Sequence, residues 1–433
     1  MKSTGFLARS LPAWFPIFKG IRSKTQTRKT SRISRCGTEM TLDLLLVCLG
    51  LFLLQGLAAV PWLLALSRQS FRTQLPYFGK VVGIVTLGGI LFAFLLGGNS
   101  GPGIVGIWGR FYSSILTLQV ASDLFVLTFY LALTFWSKGG AVALAAFREA
   151  VRQPMFWLLT LAGMLIMGLA IVIPYFTFGE DLKMVKEITY ALTMLIPAVF
   201  GVISASISVS EEIEGRTAVT LLSKPVTRRD FLLGKFFGIT LASGLMTLLM
   251  SWVLVWVVLA KLHYDFQPSV TQLPPDPEWL NTFIAKTYGV AVPGELLRGA
   301  GQFVHDCSEA LPGITIGFGQ VITLTAVSVA LATRLPMVVN VIMCFVIYLL
   351  GHLAPIMTEA SQRVPLVYFF AQLFELLLPA LENFDVSSAV IRDVPLDPGR
   401  YAIYTLNVLL YALTYTAIAM LGGLILFEDR DVA

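Results

Sequence analysis

The sequence predicts an all-α polytopic membrane protein with about nine transmembrane helices and additional interfacial helices. Of its 433 residues, 56% are apolar and only 13% are charged, a composition typical of membrane proteins rather than of large soluble cores. Runs of roughly 20 apolar residues, the length that crosses the hydrocarbon of a bilayer, recur along the chain. The predicted spans lie at about residues 43–66, 81–98, 115–136, 156–177, 188–209, 236–260, 313–333, 336–355 and 403–427.

A tenth apolar run, at residues 364–381, is interrupted by Gln372, Glu375 and Pro379. These residues predict an interfacial or re-entrant helix rather than a further span. The four cysteines are scattered, without the spacing of a disulfide framework or a metal site. We therefore predict no catalytic, cofactor-binding or metal-binding residues.

The first 39 residues are strongly basic, with nine Lys or Arg against the single acid Glu39. Met40 stands directly before the first span, so we expect translation to start there; a disordered basic tail and a transit peptide are the alternatives. Most of the net charge of +5 comes from this segment. The charge is therefore no indication of a nucleic-acid partner.

The positions of Lys and Arg beside short connections predict the orientation of the spans. They place the charged segment 210–235 and the C-terminal FEDRDVA in the cytoplasm, and the long segments 261–312 and 356–402 outside. Within the outer segment 261–312, Asp276 is expected to cap one helix, and residues 294–310 are expected to form a second, separate helix. The expected location is the bacterial cytoplasmic membrane.

A short amphipathic helix is predicted between the first three spans and the remaining six. Lys138, Gly139 and Gly140 are expected to form a flexible junction. Residues 141–153 then place Phe147 on one side of a helix and Arg148 and Arg152 towards the other, the pattern of a helix that lies in the membrane interface.

The segment 210–235 carries clear signals of local order. Thr227 and Asp230 have the spacing of a capping box, which predicts a helix that starts near Arg228. Phe231 and the residue before the cap fit a hydrophobic staple, and Pro225 precedes both. Upstream, residues 216–224 place apolar side chains on one side of about two turns, which favours a short crosswise helix; the alternative is a solvated turn.

Asp123 lies inside the third predicted span, where an ionisable side chain is costly and suggests a functional site. The competing interpretation is that Asp123 pairs with Gln119 or with a polar group on a neighbouring helix. Hydroxyl residues at 204, 206, 208 and 210 could line a path or a subunit interface, although such residues more often permit close helix packing.

Three segments give the chain its resemblance to a known family: FREAVRQPMFW, ISVSEEIEGRTAVTLLSKPVTRRDFLLGKFFG, and a tail with Phe427, Arg430 and Asp431. Over residues 142–433 the chain resembles the ABC-2 family of ATP-binding-cassette transporter permeases, from which it departs by Arg216 between the glycine and threonine of the central motif. The three-span unit at 40–137 lies outside the common pattern of this family, and the resemblance implies a permease domain at 138–433. It also implies that segment 210–235 contains a coupling helix that docks on an ATPase, through Glu211, Glu212, Glu214, Arg216, Thr217, Leu221, Leu222 and Ser223.

No phosphate-binding G-x-x-x-x-G-K-[ST] loop occurs in the sequence. The resemblance therefore implies a separate ATPase subunit that supplies ATP and Mg, a second permease copy or homologue, and the lipid bilayer as partners, with no nucleic acid. The implied function is that of an exporter permease. Two alternatives remain open: an ATPase-driven mechanical transmitter or anchor for an envelope assembly, and a membrane-embedded enzyme, for which no buried Ser/His or Asp/Asp arrangement is visible.

Overall fold

A computed structural model describes residues 36–62, 71–97, 102–173, 175, 181–214, 227–264, 276–287, 292–360, 365–385 and 398–428. Within these residues the chain is helical and contains no strand, which confirms the all-α class. In the described part of the chain, eight helices are long and apolar enough to cross a membrane, or nine if one bent helix pair counts as a single span. The basic segment before residue 36 and Arg430 and Asp431 of the tail lie outside the described residues.

The first three spans are α1 (Cys36–Ala58), α2 (Phe71–Gly97) and α3 (Pro102–Phe135). Helices α1 and α2 pack closely where a Cβ on Gly88 would lie 2.9 Å from the ring of Phe52. Helix α3 is a 34-residue helix that leaves this pair and packs along the remainder of the protein.

Helices α4 (Ser137–Arg152) and α5 (Pro154–Leu169) follow, bent by 59° at their shared break. Pro154 at the first position of α5 accounts for the break. The expectation of a flexible junction at Gly139 and Gly140 is wrong, because both residues lie inside α4 and are buried. A Cβ on Gly140 would lie 2.7 Å from the carbonyl oxygen of Ala132, so this glycine permits a tight turn between α3 and α4. The amphipathic character predicted for α4 is confirmed.

Next come α6 (Asp181–Ala205), a single π-helical turn (Ser206–Ser210) and α7 (Glu211–Glu214). Residues 215–226, the predicted crosswise helix, lie outside the described residues. Helix α8 (Arg228–Tyr264) then begins at the predicted position and runs for 37 residues.

Helix α9 (Glu278–Thr287) follows Asp276 and Pro277, and α10 (Val292–Ala332) is a continuous 41-residue helix. The expectation of a separate helix at 294–310 is therefore wrong. The Asp276 carboxylate pairs with Arg298 of α10 at 3.1 Å, and its expected capping bond stays a prediction. Pro312 lies inside α10; a proline removes one backbone hydrogen bond, but neighbouring helices and hydroxyl side chains tolerate such a residue within a packed membrane helix.

The last helices are α11 (Met337–Ala360), α12 (Pro365–Leu377) and α13 (Pro398–Glu428), with a 3₁₀ turn (Leu381–Phe384) after α12. Helix α12 has 13 residues, too short to cross a bilayer. Its length agrees with an interfacial or re-entrant segment.

Helix α10 lies at the centre of the molecule and packs against α3, α6, α8 and α13. The seam between α3 and α10 is unusually close, since a Cβ on Gly109 would lie 2.1 Å from the carbonyl oxygen of Leu296, and one on Gly299 would lie 2.0 Å from that of Gly106. Arg110 of α3 also donates to Gln302 Oε1 at 2.7 Å. The third span is thus an integral part of the helix packing around α10.

Candidate functional site: a buried junction beside segment 215–226

The helix ends that flank segment 215–226 meet at a polar cluster centred on Lys235. This lysine lies two turns into α8 and is only 5% exposed. Its ammonium group donates to Glu149 of α4 at 3.2 Å, to Ser208 of the π-helical turn at 2.8 Å and to Glu212 of α7 at 2.6 Å. An ammonium group has three protons, so a single buried charge connects three other elements to α8. We call Lys235 and these three partners the junction.

Helix α4 approaches α8 closely beside the junction. A Cβ on Gly234 would lie 2.8 Å from the carbonyl oxygen of Gly139, and one on Gly238 would lie 2.3 Å from that of Ala143. The absence of side chains at positions 234 and 238 therefore lets the two backbones touch. This close contact brings Glu149 within reach of Lys235.

The π-helical turn that carries Ser208 is joined to the connection after α10 and to the start of α11. Ser210 donates through Oγ to the carbonyl oxygen of Leu335 at 3.0 Å, and Asn340 Nδ2 donates to Ser206 Oγ at 2.8 Å. These side chains are buried. A π-helical turn within an α-helix frequently marks a functional position, and here it stands directly before segment 215–226.

The start of α8 has the predicted capping box. The Asp230 amide donates to Thr227 Oγ1 at 3.1 Å, and the Thr227 amide donates to Asp230 Oδ2 at 3.4 Å. The Trp136 indole, just before α4, donates to Asp230 Oδ1 at 2.7 Å. The first turn of α8 is therefore fixed both by its own cap and by the connection between α3 and α4.

Two arginines bind the C-terminal carbonyl oxygens of α13 beside the start of α8. Arg228 donates to the carbonyl oxygens of Phe427 and Glu428 at 3.1 and 2.9 Å, and Arg334 donates to that of Leu426 at 2.9 Å. Cations are favourable at the carbonyl end of a helix. Phe231 is buried with its ring centroid 6.0 Å from that of Phe427, so the start of α8 and the end of α13 form one packed unit.

The predicted docking residues divide between described and undescribed positions. Glu211 is exposed on α7, and Glu212 is the half-buried carboxylate bound to Lys235. Glu214 ends α7. Phe147 packs in a core cluster on one side of α4, while Arg148 and Arg152 are exposed on the other. The predicted positions Arg216, Thr217, Leu221, Leu222, Ser223 and Pro225 lie outside the described residues.

Asp123 lies apart from the junction. Its carboxylate accepts a hydrogen bond from the Trp62 side chain, whereas Gln119 Oε1 accepts from Gln55 Nε2. Among the described residues, Asp123 Oδ1 has no hydrogen-bond partner. Asp123 is thus hydrogen-bonded to a residue that precedes it in the chain, while one of its carboxylate oxygens stays unpaired within the described residues.

Sequence reasoning missed the roles of Glu149 and Trp136, and it treated Lys235 only as the last residue of a charged segment. The available signal was a lysine followed by a long apolar run, since a cation at that depth requires a nearby anion. The identity of that anion depends on helix packing, which a single sequence does not encode locally.

Residues 141–275 match the family model described as ABC-2 family transporter protein. The matched residues include most of α4, all of α5, α6 and α8, and all four members of the junction. No curated protein shows significant similarity to the chain. Over residues 141–275, this multi-pass membrane protein is similar to the ABC-2 family of transporter proteins, and this similarity supports an ABC-2 type permease.

Proposed function

We propose that this chain is the membrane-spanning subunit of an ATP-binding-cassette exporter in the bacterial cytoplasmic membrane. A separate ATPase subunit, which holds ATP and Mg, docks on the cytoplasmic segment 215–226 and drives outward movement of a substrate. The single observation that carries this proposal is the junction, in which Lys235 joins both flanks of the docking segment to helix α4. The family match over residues 141–275 supports the same assignment.

A force that the docked ATPase applies to segment 215–226 would reach the membrane helices through the junction. The segment's upstream flank, α7, is held through Glu212, and its downstream flank, α8, carries Lys235. Both flanks are held to α4 through Glu149. A displacement of the docked segment therefore moves α4, the π-helical turn and α8 together rather than bending one connection.

Helix α8 carries this movement across the protein. Its 37 residues correspond to about 55 Å at 1.5 Å per residue. At its far end, the buried Lys261 donates to the carbonyl oxygen of Ile171 at 3.3 Å and lies 3.9 Å from Asp181 at the start of α6. One continuous helix therefore links the junction to the outer ends of α5 and α6, where an export path must open.

The docking surface itself combines apolar and acidic side chains. Leu221 and Leu222 would enter a cleft of the ATPase, while Glu211, exposed on α7, would face its polar rim. Two such subunits, or one with a homologue, would present two docking segments to a pair of ATPases. Closure of the ATPase pair on nucleotide would bring the two segments together.

The test is purification of the full chain from its own membranes, followed by identification of co-purifying proteins and measurement of ATP hydrolysis. We expect a stoichiometric ATPase, and we expect Leu221→Asp to lose it, because an unpaired charge would enter an apolar contact. Lys286→Asp on the exposed face of α9 is the control and should retain the complex. A complex without an ATPase would refute the proposed function. Full retention of stimulated hydrolysis by Leu221→Asp would show that segment 215–226 is a solvated turn.

A further inference from the structure

A cavity of about 500 Å³ lies between α3, α8 and α10. Its wall on α8 begins at Leu241, six residues after Lys235. The cavity also includes residues of the third span, to which neither the family match nor the proposed function assigns a role. Its wall spans residues 117–128, 241–255 and 307–318, which are central parts of three candidate membrane spans. Its size falls in the range of small-molecule sites.

The cavity wall offers no free hydroxyl donor among its lining residues. Six Ser and Thr side chains line the cavity, but each hydroxyl donates to a carbonyl oxygen three or four residues earlier in its own helix. The Trp252 indole is likewise used, since its Nε1 donates to Ser114 Oγ at 2.9 Å. The six hydroxyl residues are Thr117, Thr128, Thr247, Ser251, Ser308 and Thr315.

These satisfied hydroxyls decide what the cavity can hold. An ordered water needs two to four polar partners, and a polar ligand needs unpaired donors or acceptors to fix its orientation. Apart from the acceptor lone pairs of these hydroxyls and the Cys307 thiol, which is a weak donor, the lining provides methyl groups, aliphatic chains and the rings of Phe125 and Phe318. A hydrocarbon chain matches this surface.

The opening of the cavity indicates where that chain comes from. Thr247 and Val255 form a buried floor, while Leu124 and Leu311 are exposed at the rim. The neighbouring surface of α3 is also apolar and exposed, at Val120 and Leu127 among others. In a membrane, this rim faces the hydrocarbon of the bilayer.

We propose that the cavity binds an acyl chain of a membrane phospholipid, held between the third span and the permease helices α8 and α10. The bound chain fills space between α3 and the helix that carries Lys235. The site is thus placed to make the packing of the N-terminal unit depend on lipid. This proposal does not require that the lipid is the transported substrate.

The test uses membranes that contain the full chain and phosphatidylcholine with a photoreactive diazirine in the middle of one acyl chain. After irradiation, the labelled peptides are mapped. We expect labelling of the cavity segments to exceed that of Leu413, which is 57% exposed on α13, by about fivefold or more, because an enclosed chain is held rather than exchanged. Labelling that simply follows exposure would mean surface lipid only and would overturn the proposal.

Matched variants separate filling of the cavity from general damage. The Phe side chain in Ala121→Phe would project into the cavity and should reduce the labelling about fivefold. Ala121→Leu should give an intermediate reduction, and it replaces the larger variant if that variant does not fold. Val120→Phe, one residue along and 54% exposed, should leave labelling unchanged. Thr247→Val should also leave it unchanged, since that hydroxyl is already bonded; its loss of labelling would indicate a polar ligand and refute the proposal.

A second copy of the chain is the competing occupant. Leu124→Cys at the rim tests it, because two rims in contact would form an intermolecular disulfide on oxidation. We expect no such dimer in membranes in which the lipid labels the cavity. A disulfide-linked dimer together with absent labelling would assign the cavity to a subunit interface and overturn the lipid proposal.

Discussion

Replacement of Lys235 by methionine is the sharpest test of the junction. Methionine retains an unbranched side chain but removes the charge and the three hydrogen bonds to Glu149, Ser208 and Glu212. Removal of one member of a buried ion pair costs roughly 3–5 kcal/mol. The Glu149 side chain is 44% exposed and the Glu212 side chain 23%, so water compensates part of that loss. We therefore expect a decrease of about 2–3 kcal/mol in unfolding free energy.

The assay is an unfolding titration of the purified chain in mixed micelles, accompanied by ATP hydrolysis of the assembled complex. Glu212→Gln in the Lys235→Met background should restore part of the stability, because the remaining carboxylate is neutralised. Lys138→Met, at an exposed position on α4, should change stability by less than about 0.5 kcal/mol. If Lys235→Met matches Lys138→Met in both assays, the junction neither stabilises nor couples these helices.

Three further outcomes follow from the geometry. Asp230→Ala removes the capping box and should lower the stability of the first turn of α8 by about 1–2 kcal/mol. Amide exchange in that turn should become faster, and unchanged exchange would show that the cap is not needed. Gly109→Leu should destabilise the chain by about 3 kcal/mol in thermal unfolding, because even a Cβ at this position would lie 2.1 Å from a carbonyl oxygen of α10. Gly103→Leu is the control and should be neutral, because a Cβ there would have nothing within 4 Å. Cysteines at Gln272 should react with an impermeant reagent added outside the cell, and cysteines at Ser223 should not; the reverse pattern would invert the orientation.

Local signals in the sequence predict several of the individual helices. The Thr227 and Asp230 spacing predicts the start of α8 because a capping box uses only residues within one turn. Apolar run lengths predict the spans because each span is one continuous segment of the chain. The expectation of a separate helix at 294–310 is wrong because the effect of Pro312 on α10 depends on the surrounding helices. The local sequence alone did not reveal that α10 continues through it.

The contacts that build the candidate site are distant in sequence. Lys235 and Glu149 are 86 residues apart, and Trp136 and Asp230 are 94 apart. Their meeting depends on the bare backbone of Gly234 and Gly238 beside α4. A glycine in an apolar run has several possible roles, and only the assembled helices show which backbone it approaches.

The close seam between α3 and α10 has a consequence for synthesis of the protein. Arg110 and its partner Gln302 are 192 residues apart in the chain, a distance that takes about 10–40 s to translate at 5–20 residues per second. During that interval α3 is already in the membrane, while the helix that covers its glycines and binds its arginine has not yet been made. The final packing of α3 must therefore wait for α10. A nascent chain stalled before residue 292 would present an unfinished surface to the insertion and quality-control machinery.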